Sequence, residues 1–282
     1  MQKTIFVTGA STGIGFDCVR ALLVEDFQVV ATVRTEEDKR RLKNTFAEGL
    51  HVLIVDISNY AQVDKIPAQL DQLGIKHLAG LVNNAGVALA APFLYQDFAE
   101  IQQIINVNVL SLMKVTQVLL PLLGTDPSVE KPGRIVNMSS VAGKSAAPFL
   151  SLYAASKHAV EGFSEGLRRE LMLFGIKVIV IGPGSIKTPI WQKGFVQVKE
   201  KYNYTPYAHS FKKFMSIALG EEKNALEVTE VSKLVVAAFK SAEPKLRYAP
   251  IPRKWINWYF PMLIPAKMYN RLTAKVLGLK IK

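Results

Sequence analysis

Cysteine is nearly absent, with Cys18 the only one in 282 residues. A lone thiol cannot close an internal disulfide, so the fold owes nothing to an oxidising compartment. Histidine is scarce as well. His51, His77, His158 and His209 are scattered and make no metal-ligand spacing with Cys18, so no metal is expected. Long apolar runs are missing: none reaches the roughly 18 residues that a spanning helix needs. The start, Lys3 followed by Thr4-Ile5-Phe6-Val7 and a turn at Gly9, is too short for a signal peptide and reads as a strand. A cytoplasmic protein is the default expectation. No linker rich in Gly, Pro or Ser divides the chain, and no internal repeat is visible.

Apolar residues make up 49% of the chain and charged residues 21%, a core-forming composition that excludes disordered and collagen-like classes. The length fits one large domain or two small ones. The net charge of +12 is concentrated at one end. Nine basic residues and no acidic one lie between Lys245 and Lys282, while the first 244 residues hold 26 basic against 23 acidic. Basicity confined to a tail does not describe a nucleic-acid-binding surface, and none is expected.

Short β-branched runs alternate with amphipathic stretches. Residues 4–7, 28–33, 52–55, 78–82, 134–138 and 177–181 read as buried strands. Residues 14–25, 36–47, 61–73, 97–123 and 152–174 read as helices. Parallel strands need crossover connections, so this alternation predicts an α/β chain: one doubly wound parallel sheet with helices on both faces, spanning 1–282 as a single domain. Ligands of such sheets bind beyond the carboxyl ends of the strands. There the first strand runs into Thr8-Gly9-Ala10-Ser11-Thr12-Gly13-Ile14-Gly15, whose glycines let the backbone turn tightly beside a phosphate held on a helix N-terminus. The fourth strand ends in Asn83-Asn84-Ala85-Gly86, and the fifth in Ser139-Ser140. Thirteen residues after Ser140 comes Tyr153, with Lys157 four further on and on the same helix face.

Taken together these motifs resemble the classical short-chain dehydrogenase/reductase family, from about Lys3 to Pro189. The pieces stand in the family's order: Thr-Gly-x-x-x-Gly-x-Gly at 8–15, Asn-Asn-Ala-Gly at 83–86, Asn108, Ser140, Tyr153 with Lys157, and Pro183-Gly184 with Thr188. The resemblance implies a Rossmann-type sheet and a nicotinamide cofactor held by Gly9, Ser11, Thr12, Gly13, Ile14 and Gly15 in the first loop. Asp56 and Ile57 after the third strand would flank the adenine. Asn83, Ala85, Gly86, Pro183, Gly184, Ile186 and Thr188 would line the rest of its path, together with Tyr153 and Lys157. It also implies catalytic roles. Tyr153 exchanges a proton with the substrate oxygen, Ser140 hydrogen-bonds that oxygen, and Asn108 supports a water that links Lys157 to solvent. A neighbouring ammonium favours tyrosinate, so Lys157 is expected to lower the Tyr153 pKa from its ordinary value of about 10. Ser139 is the rival of Ser140, and the 13-residue spacing favours Ser140.

Cofactor choice rests on the end of the second strand, where an acid would bind a ribose hydroxyl and a base the 2′-phosphate of NADP. Arg34 and Thr35 stand there with no acid before Glu36, which favours NADP; Ser11, where some NADP-preferring relatives carry a basic residue, keeps NAD open. Residues 188–227 are expected to form a helical lid over the substrate, with Trp191, Phe195, Tyr202, Tyr204, Tyr207, Phe211 and Phe214. Those aromatics, with Val141, Ala142, Phe149 and Leu150, imply a lipophilic alcohol or ketone of steroid, retinoid or fatty type. Residues 252–282 form a basic segment with Trp255 and Trp258, placed either in a membrane interface or over the cleft or a partner subunit. The family resemblance implies a homodimer or homotetramer built through helices 97–123 and 152–174. A catalytically silent dinucleotide sensor and an isomerase or dehydratase of the same fold are the competing readings.

Overall fold

In the computed structural model, residues 3–46, 48–188, 190 and 201–279 are described. Seven parallel strands form one sheet in the order β3-β2-β1-β4-β5-β6-β7. They are β1 (Thr4–Val7), β2 (Gln28–Val33), β3 (Leu50–Ile54), β4 (Gly80–Asn83), β5 (Arg134–Met138), β6 (Lys177–Ile181) and β7 (Arg247–Tyr248). The register pairs Val7 with both Ala31 and Val82, so β1 sits where the winding reverses. The loops after β1 and β4 therefore diverge and leave a crevice at their carboxyl ends.

Alternate residues of each strand fill opposite faces. Ile5, Val7, Val29, Ala31 and Val136 join one buried core; Phe6, Val30, Leu81, Ile135 and Val178 join the other. The first core is covered by α1 (Gly13–Val24) and α2 (Glu36–Thr45). The second is covered by the short helices α3 (Tyr60–Val63) and α4 (Ile66–Gln72) and by the long ones. These are α6 (Ser111–Leu120) and α7 (Ser151–Glu170), with α5 (Phe98–Ile105) preceding α6. Beyond α7 come α8 (Ala208–Gly220), α9 (Thr229–Lys240), α10 (Phe260–Leu263) and α11 (Ala266–Leu277).

The structure corrects several sequence expectations. The helix expected over 61–73 is two helices, because Pro67 lacks an N–H and opens a new first turn. The one expected over 97–123 contains a widened π-type turn at Asn106–Leu110 and another at Pro121–Thr125, ended by Gly124 at φ +120°. An 18-residue window within residues 98–125 is apolar enough to cross a membrane, although interspersed Gln and Asn keep every uninterrupted run short. Val115, Leu119 and Leu123 of this stretch are buried against the sheet. Two elements were not anticipated. One is α9, which packs Val231, Val235 and Phe239 into the first core. The other is β7, only two residues long. Residue 47, the expected end of the second helix, and Trp191 and Phe195 of the lid lie outside the described residues.

Candidate active site

The crevice is a cleft of about 1240 Å³ lined by the loops after β1, β4, β5 and β6. Its floor is the glycine loop. Gly9 and Gly13 take φ values of +66° and +59°, in the left-handed region that side chains avoid. A Cβ on Gly9 would lie 2.7 Å from the Ala85 Cα, and one on Gly15 would run into the Gly9 carbonyl oxygen. The loop is thus pressed against the 83–86 turn, and side chains lock the two together. Asn84 Nδ2 donates to the carbonyls of Thr8 and Gly9, both at 3.0 Å. Thr8 Oγ1 accepts from the backbone N–H groups of Asn84 and Ala85 at 3.0 and 3.1 Å. No acidic residue occupies the first turn of α1, which leaves its N-terminus favourable to an anion. These observations fit the diphosphate of a dinucleotide.

All but three of the expected site residues line the cleft. Asn83 does not, because its side chain turns into the protein, where Nδ2 donates to Thr116 Oγ1 and Asn137 Oδ1, each at 2.9 Å. Thr35 does not, because it caps α2 by accepting from the Asp38 N–H at 3.1 Å. Asn108 is buried in the π-type turn behind the cleft wall. It accepts from the Val87 N–H at 2.8 Å and donates to the Val87 carbonyl at 2.9 Å and to Ser156 Oγ at 3.0 Å. It thereby joins the 83–86 turn to the helix that carries Tyr153. At the far rim, Arg34 is exposed on the cleft wall. Sequence reasoning missed Arg41 of α2, whose guanidinium donates to the Ser11 carbonyl at 2.7 Å and also pairs with Asp38. Asp56 stands with its carboxylate fixed by Ser58 at 2.9 and 2.6 Å.

The chemistry-bearing residues converge where β5 meets α7. Ser140 follows β5 with its Oγ accepting from the Ala142 N–H at 3.1 Å, and it hydrogen-bonds the Tyr153 hydroxyl. Ser139 lies beside it but has its hydroxyl buried against Gly143, so Ser140 is the serine that meets the tyrosine. Lys157 Nζ donates to the Met138 carbonyl at 2.9 Å and lies 5.9 Å from the centre of the Tyr153 ring. Burial moves both groups. It pushes the Lys157 ammonium down to about 8, against the opposing pull of Glu161. It raises the Tyr153 phenol above its ordinary value, partly offset by the Ser140 hydrogen bond. The direction is opposite to the lowering expected from Lys157: desolvation of the phenolate is the largest effect, and the Ser140 hydrogen bond is what opposes it.

Behind this group is an ion cluster around the buried Glu161 that the sequence reading also missed. Glu161, one turn beyond Lys157, accepts from Arg247 Nε at 3.1 and 3.2 Å and pairs with Lys144 at 3.6 Å. Arg247 Nη2 also donates to the Ser140 carbonyl at 3.4 Å, and its guanidinium stacks 4.7 Å from the Trp258 ring.

The substrate end of the cleft is walled by Val87, Ala88, Leu89, Ile186 and Ile190. Among the described residues, the lid aromatics do not line it. Tyr202, Tyr207, Phe211 and Phe214 instead pack around Phe149, with ring centres 5.2 to 6.3 Å apart for the closest pairs, and Tyr204 is fully exposed. Phe149 itself is held at φ +67°, a conformation that costs about 1–3 kcal/mol and that only a close-packed surround sustains.

Comparison with known proteins agrees with this arrangement. Residues 3–198 match the short chain dehydrogenase family. The chain is 36% identical over 272 residues to an NADPH-dependent 3-dehydrocapnine reductase of Ornithobacterium rhinotracheale, covering 96% of each protein. It is 30% identical over 288 residues to mouse retinol dehydrogenase 5, covering 97% of this chain and 88% of the relative. Among solved structures, ElxO with bound NADP superposes with a TM-score of 0.71 at 25% identity, covering 89% of this chain and 97% of that one. The chain is an oxidoreductase that belongs to the short-chain dehydrogenase/reductase family.

Proposed function

We propose that the protein is an NADP(H)-linked oxidoreductase that interconverts a lipophilic ketone and its alcohol, the whole chain acting as one catalytic domain. The observation that carries this reading is the convergence of Ser140, Tyr153 and Lys157 at one end of a cleft whose other end is the glycine loop. NADP is favoured over NAD by Arg34 at the end of β2, where no acidic residue stands before Glu36. The NADPH dependence named for the 36% identical relative supports the same choice. A bound nicotinamide supplies or takes the hydride at the carbonyl carbon.

The chain's own residues do the rest. Tyr153 gives its proton to the substrate oxygen in reduction and takes it back in oxidation. A phenol raised by burial keeps its proton near neutrality, which suits the reducing direction. The Ser140 hydroxyl holds the same oxygen and stabilises the charge that develops on it. Lys157, still cationic below about pH 8, supports the phenolate left after transfer and would hold the ribose hydroxyls. Asn108 would support the water that returns a proton through Lys157.

The apolar wall of Ala88, Leu89, Ile186 and Ile190 fits a steroid-, retinoid- or fatty-type substrate. The chain would work in the cytoplasm as a homodimer or homotetramer through α5, α6 and α7, touching a membrane through its C-terminal segment. The test is NADPH oxidation with ketones of rising chain length. We expect kcat/KM to climb with apolar length. A preference for short polar ketones would overturn the lipophilic assignment.

A further inference from the structure

The helix α11 is built as three parallel stripes. Residues four apart share a helix face, and adjacent residues lie about 100° apart. Tyr269, Thr273 and Leu277 form the inner stripe, with Leu277 buried among Phe149, Phe211 and Phe214. Met268, Leu272 and Val276 form the second, exposed by 50%, 41% and 52%. Lys267, Arg271 and Lys275 form the third, also exposed. The second stripe is the puzzle, because the helix already has an apolar inner face and needs no other to fold. The segment before it repeats the combination. Trp255, Phe260 and Leu263 are largely exposed, the Trp255 ring lies tilted 5.0 Å from that of Tyr259, and Lys254 Nζ lies 5.8 Å from the Tyr259 ring. From Lys245 onward no carboxylate side chain is present.

We propose that this C-terminal face docks on an anionic lipid surface. This deepens the membrane contact proposed above and rests on that reading. Apolar residues grouped on one exposed face mark an interaction surface, where scattered ones would not. Charge selects the occupant. A second copy seated on the same stripes would bring unpaired basic rows together with no acid among them. A bilayer with acidic headgroups accommodates both stripes at once. Met268, Leu272 and Val276 enter the acyl boundary, the cations extend to the phosphates, and the tryptophan and tyrosine rings sit at headgroup level. The inner stripe then leans on the aromatic cluster around Phe149, and Ala90 and Ala91 of that cluster directly follow Leu89 on the cleft wall. Docking would place the substrate end of the enzyme beside the phase that holds a lipophilic substrate.

The test is cosedimentation of the full chain with vesicles of phosphatidylcholine alone or mixed with phosphatidylglycerol. Two triple variants accompany it, Lys267→Glu with Arg271→Glu and Lys275→Glu, and Met268→Ser with Leu272→Ser and Val276→Ser. Both leave the inner stripe and the cleft intact. We expect binding to the mixed vesicles, weakened by added salt, and a loss of about a hundredfold in the charge-reversed variant. The serine variant should also lose binding while keeping its NADPH affinity. Failure of the wild-type chain to bind either vesicle would overturn the proposal, as would equal binding to both. A dimer in solution that the serine variant converts to monomer would assign the face to a second copy instead. NADPH titration of the same samples separates the two readings: absent nucleotide binding removes the oxidoreductase proposal whatever the vesicles show.

Discussion

Arg247, on the two-residue edge strand β7, reaches both carboxylate oxygens of Glu161 on α7, with Nε at 3.1 and 3.2 Å. The Glu161 side chain is 7% exposed and that of Arg247 20%. It ties the last strand of the sheet to the helix that carries Tyr153 and Lys157. The same guanidinium holds the Ser140 carbonyl, so one side chain braces both ends of the reacting group.

Glu161 also raises the Lys157 pKa against the larger effect of burial. Replacing Glu161 by Gln removes that pull. The inflection of kcat/KM that reports Lys157, near pH 8 in the wild-type chain, is expected to move to lower pH. The variant should also lose about 3 kcal/mol of stability, because Arg247 keeps its charge without its main partner. A pH–rate profile with parallel denaturant melts reads both effects.

Lys157 itself is a cost to the fold. Its pKa in the folded chain, about 8, lies below its ordinary 10.5, so between these values the unfolded chain binds the proton that the folded chain has released. Its contribution to stability therefore rises with pH across that window, and below it the buried ammonium is held at full cost. Lys157→Met is expected to be more stable than the wild-type chain by about 2 kcal/mol at pH 7 and to lose turnover. The stability gain should shrink as pH approaches 10.5. Thermal melts across the pH range check the sign.

Gly9→Ala puts a Cβ 2.7 Å from Ala85 Cα at a φ of +66°. The loop and the 83–86 turn must separate, so NADPH affinity is expected to fall at least about tenfold alongside a stability loss of about 1–3 kcal/mol. Fluorescence titration with NADPH measures the first effect.

Arg34→Glu reverses the charge at the end of β2. NADPH affinity should fall by about tenfold to a hundredfold, the worth of a charge-assisted hydrogen bond, while NADH affinity holds or rises. Comparing the two nucleotides on one variant separates charge recognition from loss of the loop.

The doubly wound parallel sheet and the crevice at its strand ends were legible in the sequence because β-branched runs and glycines act locally. Strands β1, β2, β5 and β6 match their expected bounds to the residue. The α9 helix carries its own signal in Val231, Val235, Ala238 and Phe239, a helical spacing just beyond the lid residues. Other features had no local signal. Strand β7 is two residues with no apolar run, and its role comes from Arg247 meeting Glu161 across 86 positions of sequence. Asn83 and Asn84 are adjacent and chemically alike. Only the pleat of β4 sends Asn83 into the core and leaves Asn84 on the glycine loop. Composition does not tell where a ring packs: Tyr202, Tyr207, Phe211 and Phe214 gather with Phe149 rather than on the cleft.

The most direct test of the central claim is single turnover of a long-chain ketone with NADPH carrying deuterium at the transferable position, in the wild-type chain and in Tyr153→Phe. The account predicts that the product alcohol carries one deuterium on its carbinol carbon. It also predicts that Tyr153→Phe slows this step by about 10²- to 10⁴-fold with NADPH affinity nearly unchanged. An alcohol without the label, or a phenylalanine variant that keeps most of its rate, would contradict it.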